Sequence, residues 1–159
     1  MAHSEKTNAM RLLDAVGCGY VLHPYDPEKA VSGTEVAREL GQDPDRVFKT
    51  LVTQGRSGAF YVFMVPVACE LDLKRAAAAA GEKSISMVKS RELLGLTGYV
   101  HGGCSPVGMK KLFPTFADET ILLFDTVMCS GGRIGLQIEL APDDLMGVVG
   151  IQVADLTVR

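Results

Sequence analysis

Two apolar runs, Val47–Thr53 and Ala59–Val65, are separated only by a short link that carries Gly55-Arg56-Ser57-Gly58. A link of that length containing glycine predicts a β-hairpin, because a parallel crossover needs about a dozen residues or more. Three further strand candidates follow in the C-terminal part: Ile121–Phe124, Thr126–Cys129 and Ile134–Leu140. In the last, Ile134, Leu136, Ile138 and Leu140 alternate with Gly135, Gln137 and Glu139, the period of a strand. Tyr20–Tyr25, Ile85–Val88 and Ile151–Ala154 read as shorter strands. Helices are interspersed, yet neighbouring strands are joined too closely for a helix to cross between them. The expected fold class is therefore mixed α/β (α+β). It is a single domain over residues 1–159, with a mixed, largely antiparallel sheet or partial barrel flanked by helices.

The helix signals are local. Thr7–Val16 carries Met10, Leu13 and Val16 three apart and stops at Gly17. Ser32 and Glu35 form an S-x-x-E capping box, with Val31 and Val36 at the staple positions and Gly41 as the stop. Asp43-Pro44-Asp45 predicts a helical turn with proline at its first position. Leu73–Ala80 is helical on alanine propensity, with Asp72 before it and Gly81 after. Ser90–Leu94 predicts a short helix stopped by Gly95, and Pro142 opens the last one.

Composition narrows the function classes. At 47% apolar and 22% charged residues the chain has the balance of a globular protein. It has no run of about 18 apolar residues, so no membrane helix is expected. Met1–Thr7 is polar and lacks the apolar core of a signal peptide, which predicts a cytoplasmic protein. Cys18, Cys69, Cys104 and Cys129 form no C-x-x-C pair, so free thiols and neither metal nor cofactor are expected. A net charge of −3 disfavours a non-specific DNA or RNA binder held by its overall field. Lys74-Arg75 and Lys110-Lys111 are the candidate local basic patches, though such pairs are more often just solvated surface.

Three features carry possible chemistry. Lys49 lies in a strand whose two faces, Phe48/Thr50/Val52 and Val47/Lys49/Leu51, are both largely apolar. A lysine there either opens onto a cleft, to hold a phosphate or carbonyl oxygen, or snorkels to water from an edge strand. The segment Thr97–Gly108 is rich in glycine, which permits either close backbone approach to a ligand or simply tight turns. His101 and Cys104 share that loop, but proximity in sequence does not make a thiol catalyst. Ser130-Gly131-Gly132-Arg133 fits an anion-binding turn or an ordinary hairpin turn. His23, beside Pro24, reads as a surface or internally satisfied histidine.

Four stretches in order carry a resemblance. They are Val47-Phe48-Lys49-Thr50-Leu51, then Pro66-Val67 with Leu71-Asp72-Leu73-Lys74. Gly98-Tyr99 through Gly102-Gly103 with Ser105-Pro106-Val107-Gly108 follows, and then Ser130-Gly131-Gly132 with Gly135-Leu136. Together they resemble the YbaK/EbsC family of free-standing aminoacyl-tRNA deacylases, related to the editing insert of bacterial prolyl-tRNA synthetases. The resemblance implies removal of wrong amino acids from tRNA, foremost cysteine from tRNA(Pro), with alanine or another small residue as the alternative substrate. It implies that the strand lysine, Lys49, is the functional residue. Gly102 and Gly103 would line the pocket for the aminoacylated 3′ end, Ser130 and Gly131 would border it, and Tyr25 matches a tyrosine of the family site. Prolyl-tRNA synthetase is the implied partner. Relatives can carry Asp where this chain has Gln137, which keeps hydrogen bonding but loses a charge. That substitution leaves a non-catalytic aminoacyl-binding module as the rival reading.

Overall fold

A computed structural model describes residues 5–159. The expectation drawn from the polar opening segment falls partly on residues 1–4, outside the described residues. Helix α1 (Asn8–Ala15) leads into β1 (Val21–Pro24) and α2 (Gly33–Glu39). The hairpin β2 (Phe48–Gly55) and β3 (Phe60–Pro66) follows, then α3 (Leu73–Ala80), β4 (Ile85–Met87) and α4 (Ser90–Thr97). The chain ends with β5 (Thr115–Asp118), β6 (Val127–Ser130), β7 (Leu136–Leu140), α5 (Pro142–Val149) and β8 (Gln152–Ala154).

These strands form two sheets, ordered β1-β7-β6 and β4-β2-β3-β5-β8. The hairpin pairs antiparallel from Phe48–Pro66 to Gln54–Phe60, as its short link demands. Two pairings are parallel, β3 with β5 and β5 with β8, each reached through intervening helices. An isolated parallel bridge between Val47 and Met128 ties the sheets together.

The larger sheet is the middle layer. Its inner face gives Phe48, Met64 and Ala117 to a core shared with Cys129 and Ile138 of the small sheet and Leu13 of α1. Its other face packs Phe63, Val65 and Phe116 against Ala76 and Ala77 of α3. The capping box of α2 forms as its residues predict: Glu35 N–H donates to Ser32 Oγ, and Ser32 N–H donates to the Glu35 carboxylate. The staple beside it does not contribute, since Val31 is 83% exposed.

Several expectations are corrected. Helix α4 runs through Gly95 to Thr97 and ends at Gly98, whose left-handed φ of 84° closes it. Gly95 faces open space, so nothing there forces a stop. Ile121–Phe124 is not a strand but part of a 3₁₀ helix, Glu119–Leu123. Asp118 initiates it by accepting from the Thr120 N–H and hydroxyl; Ile121 is buried and Phe124, just past the helix, packs on the core, while Leu122 and Leu123 stay exposed. Strand β5 was unforeseen. It is four residues long and wholly buried, flanked by parallel neighbours, and so shows no alternation. Strand β7 starts at Leu136, leaving Ile134 half exposed in the preceding turn.

A polar cluster fastens the small sheet to the start of β2. Glu139 of β7 lies 2.7 Å from His23 Nε2 of β1 and accepts from Arg46 Nη2 at 2.6 Å and the Thr126 hydroxyl at 2.5 Å. His23 is thus satisfied internally, as expected. The Thr126 hydrogen bond foremost, then His23 and Arg46, hold the Glu139 carboxyl down to about 2 from its ordinary 4.5, against the opposing effect of burial. The lowered value makes the charged form a source of stability that is complete above about pH 4.5 and lost as pH falls toward 2. Glu139→Gln should therefore cost about 1–3 kcal/mol at neutral pH. In thermal unfolding, the gap between variant and wild type should narrow as pH falls below about 4.5 and close only toward pH 2; a gap independent of pH would refute this role.

Candidate active site

Strand β2 generates the site because its two edges are treated differently. One edge is paired with β3 along its whole length. On the other, β4 covers only Thr53–Gly55, with the Val88 N–H donating to Val52 O, while the Val47–Met128 bridge closes the opposite end. Between them, no strand among the described residues pairs with residues 49–51 on that edge. A cavity of about 410 Å³ opens there. Its walls come from β2, the first turn of α2 (Ser32, Gly33, Val36), β4 and α4 (Met87, Val88, Leu93), and the loop after α4 (His101, Gly102, Cys104). Tyr25, Ser130 and Gln137 complete it from the small sheet.

Alternation along β2 sorts the side chains. Phe48 enters the inter-sheet core, and Val52 packs with Leu93, Tyr99 and Cys104. Thr50 lies between these two clusters, opposite Met64 in register. Lys49 leaves on the other face, opposite Val65, and lines the cavity at the open edge. It is half-buried, and its side chain makes no ion pair or hydrogen bond among the described residues. The edge is open but the strand is flanked on both sides elsewhere, so a lysine that merely blocks an exposed sheet edge does not describe it.

Of the seven residues singled out from sequence, Tyr25, Lys49, Gly102, Ser130 and Gln137 stand on the cavity wall, whereas Gly103 and Gly131 do not line it. Gly103 instead fixes the loop against the β6–β7 turn: a Cβ there would lie 2.8 Å from Ile134 N and 2.9 Å from Arg133 Cα. Gly131 is packed under Leu136 and Ile138. The loop is held by its own bonds, with the Tyr99 hydroxyl donating to Val107 O at 2.6 Å and the Thr97 hydroxyl to Leu93 O at 2.8 Å.

The turn Ser130–Arg133 is a hairpin turn and not an open anion nest. Gly131 N–H donates to Leu136 O, Gly132 N–H donates to Ser130 Oγ, and Arg133 Nη1 donates to Glu5 O. The thiols are poorly placed for chemistry. Burial pushes Cys104 up to about 11 and Cys129 up to about 12, which leaves both protonated at neutral pH. No group of three or more His, Cys, Asp or Glu able to hold a metal occurs among the described residues.

Sequence reasoning missed Thr50, a polar residue between Phe48 and Val52 on an otherwise apolar strand face. That interruption was the available signal. The contributions of Ser32, Met87 and Leu93 carried none, because elements distant in sequence bring them together.

Residues 27–148 match the family model described as the aminoacyl-tRNA editing domain, and the chain belongs to that family of tRNA deacylases. Over 156 residues it is 40% identical to the Enterococcus faecalis protein named "Putative Cys-tRNA(Pro)/Cys-tRNA(Cys) deacylase EbsC", covering 98% of this chain and 95% of that one. A crystal structure described as a "putative trans-editing enzyme for prolyl tRNA synthetase" superposes with a TM-score of 0.86 at 29% identity, covering 98% of this chain and 100% of that one. A further crystal structure, of a protein described as hypothetical, gives a TM-score of 0.86 at 25% identity, covering 95% and 99%. Among the described residues no helix is long and apolar enough to cross a membrane.

Two predictions follow from this geometry. Gly103→Ala should shift the loop off the Arg133–Ile134 backbone and destabilise the fold by about 1–3 kcal/mol. Thermal unfolding, with faster amide exchange across residues 98–108, would register it; unchanged exchange there would refute the contact. Cys104→Ala should keep deacylase turnover within about threefold of wild type, since a protonated buried thiol is no nucleophile. Loss of turnover with the circular dichroism spectrum intact would overturn that assignment.

Proposed function

We propose that the whole chain acts as a free-standing unit that clears tRNA(Pro) mischarged with cysteine. The observation that supports this reading is an unpaired, half-buried lysine at the open edge of a cavity of about 410 Å³. That volume falls within the roughly 300–1,000 Å³ of small-ligand sites. Burying part of a lysine without a partner is unfavourable unless a ligand supplies the missing acceptor. The ester carbonyl or a phosphate of the tRNA 3′ end is such an acceptor.

In this reading Lys49 orients the aminoacyl ester, Tyr25 and Gln137 contact the amino acid, and backbone N–H groups around Gly102 stabilise oxyanion charge. Gly103, Ser130 and Gly131 hold the surrounding frame. The cysteine substrate supplies its own nucleophile. Its sulfur forms a bond to its carbonyl carbon as the bond to the ribose oxygen breaks, and the thiol proton ends on that oxygen, releasing the tRNA and a thiolactone. An intramolecular attack needs orientation above all, which a cavity provides without a reactive protein side chain. A cytoplasmic location and recruitment by prolyl-tRNA synthetase complete the proposal, since an acidic domain of this size has little surface with which to select one tRNA.

Lys49→Ala should lower kcat/KM on cysteinyl-tRNA(Pro) by about 10²-fold or more, the scale of losing one oriented electrostatic contact. The assay follows release of amino acid from tRNA(Pro) charged with cysteine, alanine or proline. Alanine cleaved as fast as cysteine would remove the thiol-assisted route in favour of a small-residue deacylase. No cleavage of any substrate would leave a binding module.

A further inference from the structure

The two basic pairs singled out from sequence meet different fates in the fold. Arg75 on α3 is bound to Asp72 and Asp155, which neutralises much of the Lys74-Arg75 patch. Lys110-Lys111 instead joins a larger group. Residues 83–117 span β4, α4, the loop after it and most of β5. They hold five of the chain's 16 basic residues, Lys83, Lys89, Arg91, Lys110 and Lys111, against one of its 19 acidic ones, Glu92. A positive segment is thus set into a chain of net charge −3. All five cations are exposed, and their side chains make no ion pair or hydrogen bond among the described residues.

This segment is also one side of the cavity. Ser90, His101 and Gly102 line it and are exposed, as are Val31 and Ser32 at the start of α2, so the opening lies between α4 and α2. Lys89 and Arg91 flank the lining residue Ser90. Lys110 is fixed at the other end of α4: its N–H donates to Thr97 O at 2.9 Å, and its stem lies where a Cβ on Gly98 would be 3.4 Å from Lys110 Cγ. An eight-residue helix is about 12 Å long, so these three cations bracket one short face. The α2 side carries the opposite sign. Residues 26–45 hold six exposed carboxylates, Asp26, Glu28, Glu35, Glu39, Asp43 and Asp45, against Lys29 and Arg38. Single exposed lysines are ordinary solvated surface. Segregation of sign across one opening is different, because it attracts a polyanion to one side and repels it from the other.

Resting on the deacylase reading of this cavity, we infer that Lys89, Arg91 and Lys110 form a docking surface for the phosphate backbone of the RNA whose 3′ end enters the cavity. The acceptor arm then leaves over α4 and away from α2. Phosphate contacts position a nucleic acid without reading its sequence. The surface therefore sets the direction of approach and leaves the choice of tRNA to a partner.

The test titrates the full chain into a fluorescent acceptor-stem hairpin ending in CCA, with a hydrolysis-resistant cysteinyl amide at its 3′ end. Lys89→Gln, Arg91→Gln and Lys110→Gln should each weaken binding about three- to tenfold and reduce the slope of log affinity against log salt by about one. Lys89→Arg and Lys110→Arg keep the charge and should restore both. Helix α3 packs on the face of the larger sheet opposite to α4. Lys74→Gln on that helix removes the same charge at a screened distance and should stay within about twofold of wild type. No hairpin binding by wild type, or unchanged affinity and slope in the three variants, overturns the inference. So does an equal loss from Lys74→Gln, the mark of a general field. Polyglutamate displacing the hairpin at equal charge would assign the surface to an acidic protein and overturn it too. Deacylation of cysteinyl-tRNA(Pro) on the same samples is a separate readout, in which the three variants should raise KM and leave kcat unchanged. Hairpin binding on this face without turnover would reject the deacylase reading and keep the surface; turnover with wild-type KM in the variants would do the reverse.

Discussion

The incomplete pairing of β2 is the constraint on which the rest of the structure depends. A strand bonded along one edge and covered only at the ends of the other leaves a backbone gap in the interior of the protein. Such a gap survives only where something fills it or where its polar groups meet a ligand. The Val47–Met128 bridge keeps the two sheets together at one end, and the cavity occupies the space where they part. The Glu139 cluster beside that bridge holds Arg46, the residue just before Val47, to β7.

The same strand distributes the chemistry. Because alternate side chains leave β2 on opposite faces, Phe48, Thr50 and Val52 turn to the core side while Lys49 leaves on the other face. The remaining walls carry neutral polar groups such as Ser32, Ser130 and Gln137 but, among the described residues, no Asp or Glu, so charge is scarce and counts for more in the low dielectric of a partly enclosed site. Burial raises the Cys104 and Cys129 thiols, which keeps both protonated at neutral pH. Membership of the editing family fits this economy: a site that positions an already activated ester needs few reactive groups of its own.

Much was legible in the residues themselves. The β2–β3 hairpin followed from the length of its link. The cap of α2 followed from Ser32 and Glu35, and the span of α3 from Asp72, its alanines and Gly81. Lys49 stood out because an ionisable residue interrupts an apolar strand. Each of these is a local rule, satisfied by residues within a few positions of one another.

What the sequence by itself determined, then, was the set of local elements and the oddity of Lys49. Tertiary structure decided the division into two sheets, the parallel insertion of β5 and β8, and the placing of Lys49 and Gln137 on the wall of one cavity. Those outcomes depend on partners 36 to 88 residues apart, and no periodicity encodes which buried strand lies beside which. Glycine density in the loop likewise gave no sign that Gly102 would line the cavity while Gly103 would be pressed on another backbone. The difference is a matter of packing distance, which exists only once the chain has folded.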